Sequence, residues 1–172
     1  DNEVLVANIN MENFSLNQIN KMTDITEKLL FIEKPTDIFS HNDFAINFDF
    51  ELVTKGKTSQ ELSSTNGFIG EKENLFIEEG ATIEFSTLNC KTGKIYIGKN
   101  AEIMEGSNIR GSLALCEDSK INLGTKLYGG TTIGPHSKVG GEVNNIVIFG
   151  YSNKGHDGFL GNSVVGEWCN LG

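Results

Sequence analysis

The chain has 172 residues, of which 38% are hydrophobic, and a formal net charge of −9. That length suits one domain with a small appendage, and an acidic balance without any Lys/Arg cluster argues against nucleic acid or an anionic membrane surface as partner. These residues carry no signal-peptide pattern, and no apolar run among them approaches the ~18 residues of a membrane span. The three cysteines, Cys90, Cys116 and Cys169, are odd in number and lack CxxC spacing, so they read as reduced thiols of a cytoplasmic protein.

In chain order, Val4, Leu5 and Val6 suggest a short entering strand. Ser15 and Gln18 have the spacing of a capping box. Leu16, Ile19, Met22, Leu29 and Leu30 then fall near helical spacing, which predicts a helix over about 16–30. Pro35 blocks continuation and suits the first turn of a new helix. From Asp37 to about Asn47 the pattern fits one or two short helices. The alternation of Phe44, Ile46, Phe48 and Phe50 fits a strand equally well. From Leu52 to Gly70 the composition reads as loop, with Ser63 to Gly67 as a turn or linker. Residues 1–70 are therefore expected to be a helical linker or tail, and 71–172 a separate domain.

The second part is organised by a period of six. Ile97, Ile103, Ile109, Leu115, Ile121, Leu127, Ile133 and Val139 follow one another without a miss, mostly with a small residue two positions earlier. Six is a whole number of strand alternations, so every aliphatic side chain can face the same side of an extended segment. A fixed period of this kind marks a β-helix built from hexapeptides. Ile77 and Ile83 already keep the spacing, which places the start of the solenoid near Asn74. About two extra residues around Cys90 to Lys94 are expected at a corner, where insertions cost little. The register breaks after Val143 and is expected to resume with Phe159, Val165 and Leu171. Each buried aliphatic contributes roughly 1.5–3 kcal/mol. The fold class is thus an all-β solenoid, a parallel β-helix of hexapeptide repeats with an N-terminal helical segment. The chain opens on Asp1 and stops while still in hexapeptide register, so the expectation is a fragment of a longer protein.

In a solenoid the regular rungs are scaffold, and breaks in register are where chemistry tends to lie. Of the three histidines, His41 and His136 have ordinary structural or surface readings. His156 lies in the break, between Gly155 and Asp157-Gly158, and is a candidate general base. A zinc site built on His136 and His156 lacks a third ligand in the sequence pattern, so no metal is assigned to this region. Asp157 and Glu167 are a candidate carboxylate pair. No P-loop and no dinucleotide fingerprint is present.

The run from Ser152 to Gly161, Ser-Asn-Lys-Gly-His-Asp-Gly-Phe-Leu-Gly, is followed by Gly166-Glu-Trp-Cys-Asn-Leu-Gly172. These strings resemble the S-K-x-x-H-x-x-Y-x-G and G-x-x-x-N-x-G runs of a known hexapeptide acyltransferase. That enzyme is one half of the bifunctional N-acetylglucosamine-1-phosphate uridylyltransferase / glucosamine-1-phosphate acetyltransferase family. From about Asp37 onward the chain is also similar to bacterial sugar-nucleotide nucleotidyltransferase homologues that join an upstream nucleotidyltransferase domain to such a β-helix.

The resemblance implies a left-handed β-helix, a homotrimer, and active sites between subunits. It implies acetyl-CoA as cosubstrate and an amino-sugar phosphate as acceptor, with Mg²⁺ serving only an upstream nucleotidyltransferase domain. In that scheme His156 deprotonates the sugar amine, and Asn170 binds substrate or holds the site in shape. Lys154 is the cation available to bind the substrate's phosphate, with an ordinary solvated lysine as the other reading, and Phe159 is a further substrate-binding candidate. Phe159 stands where the family has a tyrosine, so a hydroxyl is missing, and Tyr128 stands where the family has an arginine. These departures leave a second reading open: a non-catalytic β-helix that trimerises or regulates a sugar-1-phosphate nucleotidyltransferase.

Overall fold

The computed structural model describes residues 30–172. The helix expected over 16–30 and the strand expected at Val4–Val6 lie outside the described residues. The chain divides into a unit Asp1–Phe31 and a unit Ile32–Gly172, and the second is the subject below. It is a parallel β-solenoid of about six turns with one helix, consistent with a left-handed β-helix.

Three faces make up each coil. Face A stacks Gly67–Ile69, Thr87–Asn89, Asn108–Arg110 and Lys126–Leu127. Face B stacks Leu75–Ile77, Ile95–Ile97, Leu113–Leu115 and Thr131–Ile133. Face C stacks Thr82–Ile83, Glu102–Ile103, Lys120–Ile121, Lys138–Val139 and Asn153–Lys154. In the two uppermost coils the corner between faces A and B is shortened. The chain there runs through both faces as the single strands Glu142–Ile148 and Phe159–Val165, which join faces A and B into one sheet.

The inward residues form the core. Ile97, Ile103, Ile109, Leu115, Ile121, Leu127, Ile133 and Val139 are all fully buried, each on the rung its period of six assigns. Pairing begins at Gly67, earlier than Asn74. The residues expected to be a linker instead close the lower end of the solenoid. The Gln60 amide N–H donates to the Ile77 carbonyl, the Asn66 side chain caps Ile83 and Ser86, and Leu62 packs on the core. An open solenoid edge exposes unpaired backbone, and such a cap satisfies it.

At the A–B corner nine residues separate inward Leu88 from inward Ile97, against six from Ile109 to Leu115. This corner therefore gains three residues, and because Ile83 to Leu88 spans five rather than six, the net gain up to Ile97 is the expected two. Higher up, the chain loses residues instead: Val139 to Val143 spans four and Val143 to Ile148 spans five, and then Ile148, Lys154 and Leu160 resume the spacing of six. The inward residue on the last turn of face A is thus Leu160, not Phe159. The phenylalanine points outward and is 66% exposed.

The corner between faces B and C is turned each time by a residue in the left-handed region: Gly80, Asn100, Asp118, His136, Tyr151 and Trp168. For the bulky residues this conformation is unfavourable. Stacking offsets part of that cost, because His136, Tyr151 and Trp168 lie ring on ring at 4.9 and 4.5 Å.

One helix, α1 (Pro35–Thr54), replaces the expected short helices or strand. Pro35 starts it, and the Asp37 carboxylate accepts the backbone N–H groups of Glu33 and Lys34, which holds that carboxyl below its usual range. The alternating apolar residues are two helical stripes. Asn42, Ile46 and Phe50 face the solenoid, while Phe44 and Phe48 stack on the outer side at 5.7 Å. At 1.5 Å per residue α1 is about 30 Å long, enough to cross the six strands of face B. The Asn42 amide donates to the Gly130 carbonyl at 2.7 Å, and its carbonyl oxygen accepts the Thr132 hydroxyl at 2.8 Å. Among the described residues no helix is long and apolar enough to cross a membrane.

The thiols report on this packing. Cys90 is 1% exposed, and burial pushes it up to about 12; burial raises Cys116 as well, while Cys169 is exposed. Native protein at about pH 8 should therefore show one fast-reacting thiol, with the other two released only by denaturant. Rapid modification of Cys90 in folded protein would contradict the burial described.

Candidate functional site

The four residues singled out from sequence gather around one corner, where face C turns into face A in the last two coils. Lys154 ends face C on the fifth coil. His156 lies in the following turn, Gly155–Gly158, and Phe159 opens the next strand of face A. Asn170 lies on the next rung of face C, bridged to Asn153, whose side-chain amide donates to its Oδ1 at 2.8 Å. The structure therefore places together what the motif spaced along 17 residues, from Lys154 to Asn170.

Lys154 is the surprise in this group. Its backbone is in register with Val139 and Ile121, so it occupies a slot that holds an aliphatic side chain on the lower rungs. Only 7% of it is exposed, and it is not a solvated lysine. The ammonium donates to three backbone carbonyls, Gly140 at 2.7 Å and His156 and Gly158 at 2.8 Å each. An ammonium has three donors, so all of them are spent. A buried charge is tolerated only when its hydrogen-bonding capacity is met in this way. Burial lowers its proton affinity, and the Asp157 carboxylate partly opposes that.

The consequence falls on the turn. Two of the three acceptors belong to residues 156 and 158, so Lys154 fastens the backbone of Gly155–Gly158 to the core. A further bond, from the Asn122 amide to the Gly155 carbonyl at 3.0 Å, ties the turn to the coil two levels below. His156 is thus an exposed side chain on a fixed backbone. Its imidazole makes no hydrogen bond to another described residue. The Phe159 ring lies against Gly161, where a Cβ would meet its nearest ring carbon at 2.5 Å. Phe159 and Gly161 together give this corner an apolar wall.

The other candidates separate from it. His136 is at the B–C corner, stacked on Tyr151 with Nδ1 3.9 Å from Asp118 Oδ2. Asp157 and Glu167 stand at different corners and form no pair; His41 is on α1. Among the described residues no three His, Cys, Asp or Glu side chains converge as metal ligands. Sequence reading missed the role of Lys154. Its signal was present: Lys154 is six residues after Ile148 and six before Leu160.

A family model described as sugar nucleotidyl transferase matches residues 1–58, about a third of the chain, and that stretch ends just beyond α1. No curated protein matches the chain. The match and the solenoid together support a sugar-nucleotide-related, hexapeptide-repeat chain of transferase kinship.

Replacing Lys154 by Met tests its role. Met keeps most of the volume but leaves three carbonyls without their donor. The variant should unfold with about 1–3 kcal/mol less free energy near neutral pH. Amide exchange should accelerate within residues 155–158. The pH dependence carries a sign. Because the folded protein holds this ammonium below the ordinary lysine value, the unfolded chain binds more protons between the two pKa values. Wild-type stability should therefore gain with rising pH across that alkaline window, relative to Lys154→Met. An unchanged exchange pattern would remove Lys154 from the turn.

Proposed function

We propose that this β-helix belongs to a sugar-nucleotide enzyme and transfers an acetyl group from acetyl-CoA to the amine of an amino-sugar phosphate. The observation that supports this reading best is the turn Gly155–Gly158, fixed from inside by Lys154 so that His156 projects from a rigid backbone. A general base acts within hydrogen-bond reach of the proton it removes, and a fixed backbone is how such a reach is kept.

The chemistry needs little else from the chain. The imidazole takes a proton from the amine as nitrogen attacks the thioester carbonyl. The new C–N bond forms, the C–S bond breaks, and the departing thiolate receives a proton. Asn170, one rung above Asn153, supplies an amide to position the acceptor. Phe159 offers an apolar wall to a sugar ring in place of a hydroxyl. Lys154 takes no part in phosphate binding, since its donors are spent within the fold. The exposure of His156 and of Trp168 (74%) leaves room for a neighbouring subunit to complete the site, as in a homotrimer. Nucleotidyl transfer, with its Mg²⁺, belongs in this proposal to the N-terminal side of the protein, where the family match lies.

A second reading rests on a specific observation: no described residue orients the imidazole, whereas a catalytic histidine is usually held by a partner on its second nitrogen. On that reading the solenoid trimerises or regulates its nucleotidyltransferase without chemistry of its own. Acetyl transfer to glucosamine 1-phosphate, measured for wild type and His156→Ala alongside sedimentation, separates the two. The acetyltransferase reading expects a fall of roughly 10²- to 10⁴-fold in kcat/KM with the trimer intact. Wild-type trimers without turnover would establish the second reading instead.

A further inference from the structure

Helix α1 buries one side on face B and leaves the other bare. Phe44 is 58% exposed, Phe48 69% and Leu52 72%, and all three stand outward. Large apolar side chains four residues apart make a continuous stripe along a helix, and an exposed stripe of that kind marks an interface. The Phe44 and Phe48 rings lie against each other at 5.7 Å, which orders them before any partner arrives. The stripe is also held at a fixed rotation. On the inner side the Asn42 amide donates to the Gly130 carbonyl, and the Asn47 side-chain oxygen accepts the Lys94 N–H at 2.9 Å. The helix cannot roll on face B without breaking both.

The two ends of the stripe carry opposite charge. Asp37 is in the first turn of α1, and Lys55 caps the last. They are 18 residues apart, which is five turns at about 3.6 residues each, so both stand on one line along the helix. Phe44 and Phe48 fall about 20° to either side of that line. The four positions are symmetric about the level of residue 46: Asp37 and Lys55 are nine residues from it, Phe44 and Phe48 two. One oxygen of the Asp37 carboxylate accepts the N–H groups of Glu33 and Lys34, and the other has no partner among the described residues. Lys55 forms no ion pair among them. Asp43 and Glu51, by contrast, are engaged with the solenoid, at Ser112 and Lys94.

We propose that this side of α1 joins two copies of the chain as an antiparallel helix pair. A two-fold axis at the level of residue 46 sets the Asp37 of each copy against the partner's Lys55, and the Phe44 of each against the partner's Phe48. A two-fold contact must be self-complementary in this way. A parallel pair would instead set like charge against like charge. The charges thus fix the direction, and the four rings, flanked by Leu52, supply the apolar contact. Two such stripes bury less than a standard interface of about 1,600 Å², so the pair is weak, with a Kd on the order of 10–100 μM. The stripe faces away from the solenoid and shares no residue with the His156 turn, so the pairing is independent of acetyl transfer and of any subunit contact made at that turn.

Sedimentation equilibrium of the chain at about 5–500 μM tests it. The weight-average mass of wild type should rise with concentration and approach twice that of Phe48→Glu, which should lose the rise because its carboxylate would lie among rings. Phe44→Lys should lose it as well. A mixture of the Phe48→Glu and Phe44→Lys chains should associate at least about tenfold more tightly than either alone. The antiparallel pair sets the new carboxylate against the new ammonium and leaves one Phe44–Phe48 contact intact. Lys55→Glu should weaken wild-type pairing by roughly three- to tenfold, and added salt should narrow that difference. Both phenylalanines are exposed, so each variant should keep the far-ultraviolet spectrum of wild type. Equal masses for wild type and Phe48→Glu at every concentration would overturn the proposal, and so would a mixture no tighter than its components. A Phe48→Glu chain of wild-type mass that melts several degrees lower would show the stripe covered from within the chain, which overturns it too.

Discussion

Parallel pairing between successive coils is the constraint on which everything else in this protein depends. Each coil must lie on the one below at strand spacing, and each face must supply one inward side chain to a column only a few ångströms wide. That requirement explains the period of six, the buried small residues Ser107, Ser119, Thr125 and Ser137 beside the corners, and the glycines where adjacent rungs come closest. It also determines where variation is allowed. Residues can be gained or lost at a corner, because the corner does not enter the column. The departures from regularity occur there: a one-residue loss between Ile83 and Leu88, an insertion before Ile95 low on the A–B corner, and deletions around Gly140–Gly141 and Asn144–Asn145 higher up. None disturbs the pairing of the faces on either side.

The column also accepts one charge. Lys154 takes an aliphatic slot without breaking the stack because its long stem fills the space of a valine or isoleucine, and its head reaches the turn beyond. An isolated buried ammonium would be untenable. Here three carbonyls of a tight turn converge on it, and the turn in turn is held by the ammonium. The arrangement converts a packing position into a support for an exposed loop. No metal or disulfide is required to hold Gly155–Gly158, and the loop still has both flanks open to a ligand or to a second subunit.

The solenoid itself was legible from residue spacing. Eight inward residues from Ile97 to Val139 fall on the rungs their period predicts, because a strand alternation of two divides six. What escaped followed from using aliphatic character as the marker. The charge of Lys154 hides it as a rung, and the apolar side chain of Phe159 mimics one. The true inward residue, Leu160, is its neighbour, and a one-residue slip exchanges the two sides of a strand. The N-terminal half was ambiguous for a different reason. Phe44, Ile46, Phe48 and Phe50 alternate like a strand, yet α1 uses them as two stripes on opposite sides, one against face B and one toward solvent. The polar stretch before Gly67 read as a linker because caps, like linkers, are polar. Only hydrogen bonds such as Gln60 to Ile77 tell them apart. The gathering of Lys154, His156, Phe159 and Asn170 at one corner was suggested by motif spacing, whereas the self-matching stripe of α1 required the helix. Asp37 and Lys55 are 18 residues apart, and only five turns of helix set them on one line with Phe44 and Phe48 between them.

Faces and corners divide the labour of this molecule. Face B is covered by α1 and contributes stability. Face A is left open between two corners that the regular repeat alone would not produce. One is the Lys154-anchored turn with His156 at its crest; the other carries the insertion, and the helix is bonded to it through Asn47 and Lys94. The helix is therefore more than a covering: on its inner side Asn42 and Asp43 bond it to Gly130 and Ser112, and on its outer side it presents Phe44 and Phe48. Residues 1–58, where the sugar nucleotidyl transferase match lies, include α1, so the stretch that carries the family likeness is also the stretch that presents this stripe. A shift of α1 along face B would carry the stripe with it while leaving the His156 turn, anchored from inside the column, where it is. The two exposed features thus differ in kind, one set by the solenoid alone and the other by how the N-terminal helix is docked upon it.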